Sequence, residues 1–184
     1  LDNQRFPNNA ATRIPPYSRV ISDVHLLNTG DKDVTGNATL TIYSLPKEEV
    51  NVKLAPFHMD YSGLAIPPYA TSRFTGECDI AGQFPSGKLA MKVYYVLPHT
   101  HALGSRFFFE AADGPASGEP IIDISGFNGE ARGRYYDPPV DLAGTTNLRF
   151  GCEFTNPRAD SVGWGFGDQE MCEFLGFADA KMAF

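Results

Sequence analysis

Residues 88–110 read Lys-Leu-Ala-Met-Lys-Val-Tyr-Tyr-Val-Leu, then Pro-His-Thr-His-Ala-Leu-Gly-Ser, then Arg-Phe-Phe-Phe-Glu. The first piece, 88–97, is long and half apolar. The third, 106–110, carries three phenylalanines in succession. Val, Tyr and Phe fit a pleated, half-buried surface, and Pro98 and Gly104 break the run between the two pieces. Strand, short break, strand is the pattern of an all-β chain, and it repeats in both directions.

Upstream, residues 19–27 and 37–45 read as strands. In the second, Ala38, Leu40 and Ile42 alternate with Thr39, Thr41 and Tyr43, the period-2 signature of a strand with one covered face. Residues 50–54 form a short candidate, and 71–80 follow the turn Ile66-Pro67-Pro68. Downstream lie 121–125, 147–155 and 171–177. The 18 glycines and 14 prolines punctuate the chain at short intervals, most of them between these runs. No amphipathic helix or internal repeat interrupts them, and 179–184 reads as a frayed turn or tail. About nine short strands joined by turns predict an antiparallel β-sandwich of jelly-roll type.

The 184 residues suffice for one large domain. Residues 1–17, polar and carrying Ile14-Pro15-Pro16 near their end, read as an arm or connector, and 18–184 as the sandwich domain. A chain of this length buries roughly 70% of its unfolded surface and needs no metal merely to fold. Its net charge of -7 gives it no electrostatic attraction for nucleic acid, and no basic cluster appears. The longest apolar runs are too short to span a bilayer. Residues 111–120 are a small-residue loop, and 156–169 a longer, glycine-bearing loop of the kind found beside sites.

Of four histidines, His99 and His101 stand closest together. On an extended strand such a pair shares a face and can reach one metal, although the same spacing also suits a surface or hydrogen-bonded pair. Met171, in Gly167-Asp168-Gln169-Glu170-Met171-Cys172, is either core filler or a third donor. Two imidazoles and a thioether form a soft donor set that favours copper, the thioether favouring Cu(I); zinc sites rarely use methionine. His58, in Pro56-Phe57-His58-Met59-Asp60, reads as a loop histidine. Trp164 and Phe166 either pack their loop onto the sandwich or wall a substrate pocket. The three cysteines, Cys78, Cys152 and Cys172, leave at least one thiol without a partner in the chain. Asn37-Ala38-Thr39 is a glycosylation triplet of the kind that also arises by chance.

Leu97-Pro98-His99-Thr100-His101-Ala102-Leu103-Gly104 and Glu170-Met171-Cys172 resemble the His-Thr-His-x-x-Gly and Glu-Met-Cys motifs of the copper type II, ascorbate-dependent monooxygenases. This is the family of dopamine β-hydroxylase and peptidylglycine α-hydroxylating monooxygenase. Val24-His25-Leu26-Leu27-Asn28, Ile66-Pro67-Pro68, Gly76-Glu77-Cys78 and Leu148-Arg149-Phe150-Gly151-Cys152 follow in the family's order. The resemblance covers about residues 18–178. It implies the jelly-roll-like catalytic domain, one copper held by His99, His101 and Met171, and a Cys152–Cys172 disulfide beside Met171. A crosslink closing a loop of that length contributes about 3 kcal/mol in the entropic model. A disulfide implies a secreted, periplasmic or cell-surface setting. Cys78 matches a family cysteine whose partner is missing here, and is expected to be a free, buried thiol.

The chain departs from the family in ways that bear on function. It lacks the adjacent His-His pair of the electron-transfer domain, so His25, which matches that domain's third histidine, is an orphan and reads as a hydrogen-bonded core or edge residue. Leu97 stands where an arginine holds the substrate carboxylate of the peptide-acting relative. Glu173 and Leu175 stand for an asparagine and a tyrosine, so a glycine-extended peptide is not the expected substrate. Two functions follow as expectations. One is the catalytic half of a copper monooxygenase acting on a small molecule, with ascorbate or another reductant and an electron-transfer domain or protein partner. The other is a non-catalytic secreted copper-binding, structural or assembly module.

Overall fold

A run of alternating side chains becomes a strand only where a second chain segment takes up its backbone groups, and that condition is met over most of residues 52–180. A computed structural model describes residues 5–21, 28, 30–37, 39–83, 87, 89–126 and 133–180. The strands are β1 (Ala10–Thr12), β2 (Val52–Asp60), β3 (Ala65–Ile66), β4 (Ala70–Asp79), β5 (Met91–His99), β6 (Gly104–Ala111), β7 (Pro120–Ser125), β8 (Arg134–Asp141), β9 (Asn147–Asn156), β10 (Val162–Gly163) and β11 (Glu173–Ala180). Among the described residues helix is limited to two 3-10 turns, Lys47–Glu49 and Ala81–Gln83. Among the described residues no helix is long and apolar enough to cross a membrane.

One sheet runs β1-β2-β11-β5-β8 and the other β4-β9-β6-β7, with β3 and β10 forming a small two-stranded ribbon. The eight long strands pair antiparallel from the outside of the sequence inward: β2 with β11, β4 with β9, β5 with β8 and β6 with β7. This is a long hairpin rolled into two sheets, the jelly roll expected from the sequence. The short β1 is added in parallel along β2.

Phenylalanines fill the space between the sheets. Phe174 of β11 is fully buried, and its ring centroid lies 4.5 Å from Phe109, 5.5 Å from Phe150, 5.6 Å from Phe107 and 5.7 Å from Phe57. The contacts are tilted or edge-on, the arrangement ring quadrupoles favour. This cluster fixes the start of β11, three residues after Met171. Phe107 and Phe109 point inward, whereas Phe108 lies on the outer face and is still only 3% exposed. Its ring covers Gly151 opposite, where a Cβ would come within 2.6 Å of Phe108 Cε1. The guanidinium groups of Arg73 and Arg106 close over it at 4.7 and 5.7 Å. These arginines belong to a charge lattice on that face, with Arg106 on Asp123 and Glu153, and Arg149 on Glu77 and Glu110.

The outer face of the five-stranded sheet is covered over only part of its length. Phe6 packs its ring against Phe177, Tyr135 and Tyr95, above buried Leu54 and Tyr94. The part left open carries Leu97, His99, His58, Glu173 and Leu175.

Several expected elements are corrected. Residues 37 and 39–45 form no strand; Leu40 and Ile42 stay 67% and 55% exposed because no sheet edge is offered to them. Residues 19–21 are likewise without a strand, and 22–27 lie outside the described residues. The short candidate at 50–54 is the start of a nine-residue β2. Pro56 is tolerated there because β1 reaches only to Leu54, so the missing N–H falls on an open edge. β8 escaped notice because of Pro138 and Pro139, and it too is an edge strand. The expected tail from 179 begins as the last residues of β11.

Candidate functional site

His99 is the last residue of β5, and the chain leaves the sheet there. The pair is therefore not held on one face by a continuous strand, as its spacing suggested. A tight turn does the work, closed by Gly104 N–H donating to His101 O at 3.1 Å. Thr100, between the histidines, is fully buried. A Cβ on Gly104 would overlap its hydroxyl and come within 2.6 Å of its Cβ. The glycine of His-Thr-His-x-x-Gly is thus required by close approach to a buried threonine. The result brings the two imidazoles together: centroids 5.2 Å apart, planes at 82°.

The second half of the site is the loop that precedes β11. It is closed on itself by Gly165 N–H to Glu170 O, Glu170 N–H to Gly163 O, and Gly163 N–H to Gln169 Oε1. Gln169 O lies 2.7 Å from His101 Nδ1. A carbonyl only accepts, so Nδ1 carries the proton and the Nε2 lone pair is left available. Glu170 is 1% exposed; its Oε2 accepts His101 N–H at 2.8 Å and its Oε1 accepts Leu103 N–H at 2.7 Å. Burial pushes its carboxyl above the ordinary range, opposed by the N–H bonds from Leu103, His101 and Met171 and by His101 itself. Met171 follows directly and is 5% exposed.

Cys172 is disulfide-bonded to Cys152 of β9, with Cα atoms 5.8 Å apart. Both are fully buried, so the bond ties the two sheets together beside Met171. Tyr61 N–H donates to Cys172 O, fixing the same point to the end of β2. Cys78 is a free, half-buried thiol, pushed up by desolvation.

His58 lies on β2, not in a loop, and its Nε2 is 3.2 Å from Glu173 Oε2. Glu173 is in turn the register partner of both Asp60 and His99. Trp164 Nε1–H donates to Asp60 Oδ1 at 2.9 Å, which fastens its loop to the sandwich, while 40% of the residue remains exposed. Phe166, its ring 6.3 Å from that of Trp164, is 65% exposed. A polar recess of about 410 Å³ is lined by Arg158, Asp160, Ser161, Val162, Asp168 and Gln169. His25 falls outside the described residues.

Among the described residues no three His, Cys, Asp or Glu side chains converge as a metal site. Glu170 stands in the sequence as part of Glu-Met-Cys, but neither its bonds to two remote N–H groups nor the Gln169 carbonyl contact with His101 is visible there.

No family model matches the chain, and no curated protein matches it. Among solved structures, the Tobacco streak virus coat protein dimer is similar at 14% identity, over 74% of this chain and 88% of that one, with a TM-score of 0.27. A likeness that low carries nothing about function.

Proposed function

We propose that this chain is an extracytoplasmic copper-binding domain, holding one ion through His99, His101 and Met171, and that it is the catalytic half of a copper-dependent monooxygenase. The carrying observation is the histidine pair, 5.2 Å apart and nearly perpendicular, with His101 Nδ1 already engaged by Gln169. At a metal–nitrogen distance of about 2.0–2.1 Å, two imidazoles sharing an ion at a tetrahedral angle have centroids about 5 Å apart. The spacing fits that requirement, and the donor set of two imidazoles and a thioether suits Cu(I). Copper bound there would supply one-electron chemistry with dioxygen at its open coordination positions, the basis of C–H hydroxylation.

The chain's own residues do the rest. Gln169 fixes the tautomer of His101, and the Cys152–Cys172 bond holds the backbone next to Met171. That disulfide also supports a secreted, periplasmic or cell-surface location. The second electron comes from ascorbate or another reductant, through an electron-transfer domain or protein partner. Leu97 and Glu173 favour a second reading, a copper-binding module without hydroxylation, since neither offers the arginine or amide that would hold a carboxylate substrate.

The test is copper stoichiometry of the purified chain with X-ray absorption on the reduced form. One copper with two imidazoles and one sulfur scatterer supports the site, and oxygen consumption with ascorbate then separates the two readings. No bound copper after reconstitution overturns both. Met171→Ile, similar in volume, should keep the fold and weaken Cu(I) binding; an unchanged affinity removes Met171 from the ligand set.

A further inference from the structure

The turn after β5 takes the N–H groups of His101 and Leu103 out of the sheet ladder into buried surroundings, where each needs an acceptor. One side chain, from a residue 67 to 69 positions away in the chain, serves both. We propose that Glu170 is the positioning residue of the site: its carboxylate fixes the backbone of His101 against that of Met171, so that the ring and the thioether meet in one geometry. The inference rests on the copper reading and adds to it the group that assembles the ligands.

Three consecutive residues carry the geometry. Gln169 O receives the His101 ring, Glu170 receives the His101 backbone, and Met171 is the third donor of the proposed site. Glu170 can act this way because its backbone is itself pinned, N–H to Gly163 O and O to Gly165 N–H, both at 3.0 Å. A carboxylate has two accepting oxygens, one for each N–H. An amide has one, and its other end is a donor that would face a donor. Glutamine therefore matches the volume of Glu170 but can satisfy only one of the two groups.

The test is Glu170→Gln in the full chain. Cu(I) affinity, read by chelator competition, should fall about 10–100-fold, the usual effect of losing a group that orients a ligand. X-ray absorption of the reduced form should lose one imidazole. In the metal-free variant, ¹⁵N spectra should show His101 leaving its single Nδ1–H tautomer while the far-ultraviolet dichroism is unchanged. Native Cu(I) affinity with an unchanged tautomer would overturn the proposal. If the native chain takes up no copper, the copper reading fails by itself and the metal-free spectra decide this one: a changed tautomer supports it, an unchanged one overturns it. If the variant does not fold, amide exchange of the native chain decides: core-like protection at His101 and Leu103 supports the bonds to Glu170, and fast exchange at both overturns them.

Discussion

At each end of β6 a carboxylate gathers the backbone N–H groups of a neighbouring turn, and the two do so under opposite conditions. At the site end, Glu170 is buried and its carboxyl is pushed up by desolvation. At the other end, Asp113 accepts Thr146 N–H at 2.7 Å, Asn147 N–H at 3.0 Å and the Thr146 hydroxyl. Its carboxyl is pushed down to about 2, first by the Thr146 hydroxyl and then by the Asn147 and Thr146 backbone. The bonding is alike; burial decides the sign. Asp113 keeps its charge near water, where the bonds favour ionisation outright. Glu170 must hold its bonds against the cost of leaving water. A fold that only needed closing could use the first arrangement twice. The costlier one sits beside His101 and Met171, two of the three donors of the proposed copper site.

The sharpest way to break the comparison is to cut the one covalent tie at the site end. Replacing Cys152 and Cys172 by alanine should cost about 3 kcal/mol of stability, from the loop the disulfide closes. Amide exchange should quicken at His101 and Leu103 and stay unchanged at Thr146 and Asn147. Equal loss of protection at both ends would mean that they are not independent.

Next in size is Gly104→Ala. The added methyl would press on Thr100, which is fully buried and cannot swing aside. A cost of about 2 kcal/mol is expected for such overpacking. Thr100→Ala in the same chain should recover much of it, because the space then exists. Additive effects of the two changes, read by urea denaturation, would place the strain elsewhere. The opposite end has its own obligatory glycine for a different reason. Gly114 has φ +76°, and a Cβ there would meet backbone, 2.9 Å from both Gly144 O and Thr145 Cα. No side-chain change can relieve that, so rescue should be confined to the site end.

This contrast also explains what could be read from the sequence. The runs at 71–80, 88–97, 106–110, 121–125 and 147–155 were legible because their apolar side chains are the ones that fill the core. The run at 37–45 has the same alternation yet forms no strand, since alternation describes a side-chain pattern and pairing depends on a neighbour remote in sequence. β8 was hidden by Pro138 and Pro139, tolerated only because the strand lies at an edge. At the site, His99, His101, Met171 and the Cys152–Cys172 pair stood out as motif residues. Gln169 acts through its main-chain oxygen, and Glu170 through bonds to N–H groups, which every residue but proline has. The first role leaves no mark on residue type, and the second needs a carboxylate without revealing from the sequence which N–H groups it will meet.

The smallest expected effect is the one that tests the sign directly. The folded-state pKa of Asp113 lies at about 2, below its ordinary value, so its bonds stabilise the fold above the unfolded pKa of about 4 and are lost as pH falls through the folded value. Asp113→Asn keeps the size and removes the charge. Urea midpoints of the native chain and the variant should therefore differ at neutral pH, with the native chain higher. The gap should narrow below about pH 4, as the unfolded chain begins to take up its proton there, and should close toward the folded value of about 2. Glu170 cannot produce this behaviour: a raised carboxyl contributes most in acid and loses its contribution as pH rises through the folded value, so its slope runs the other way. A gap that stays constant down to the lowest pH would show that Asp113 holds its turn by shape alone, and the two ends would then differ in packing and not in charge.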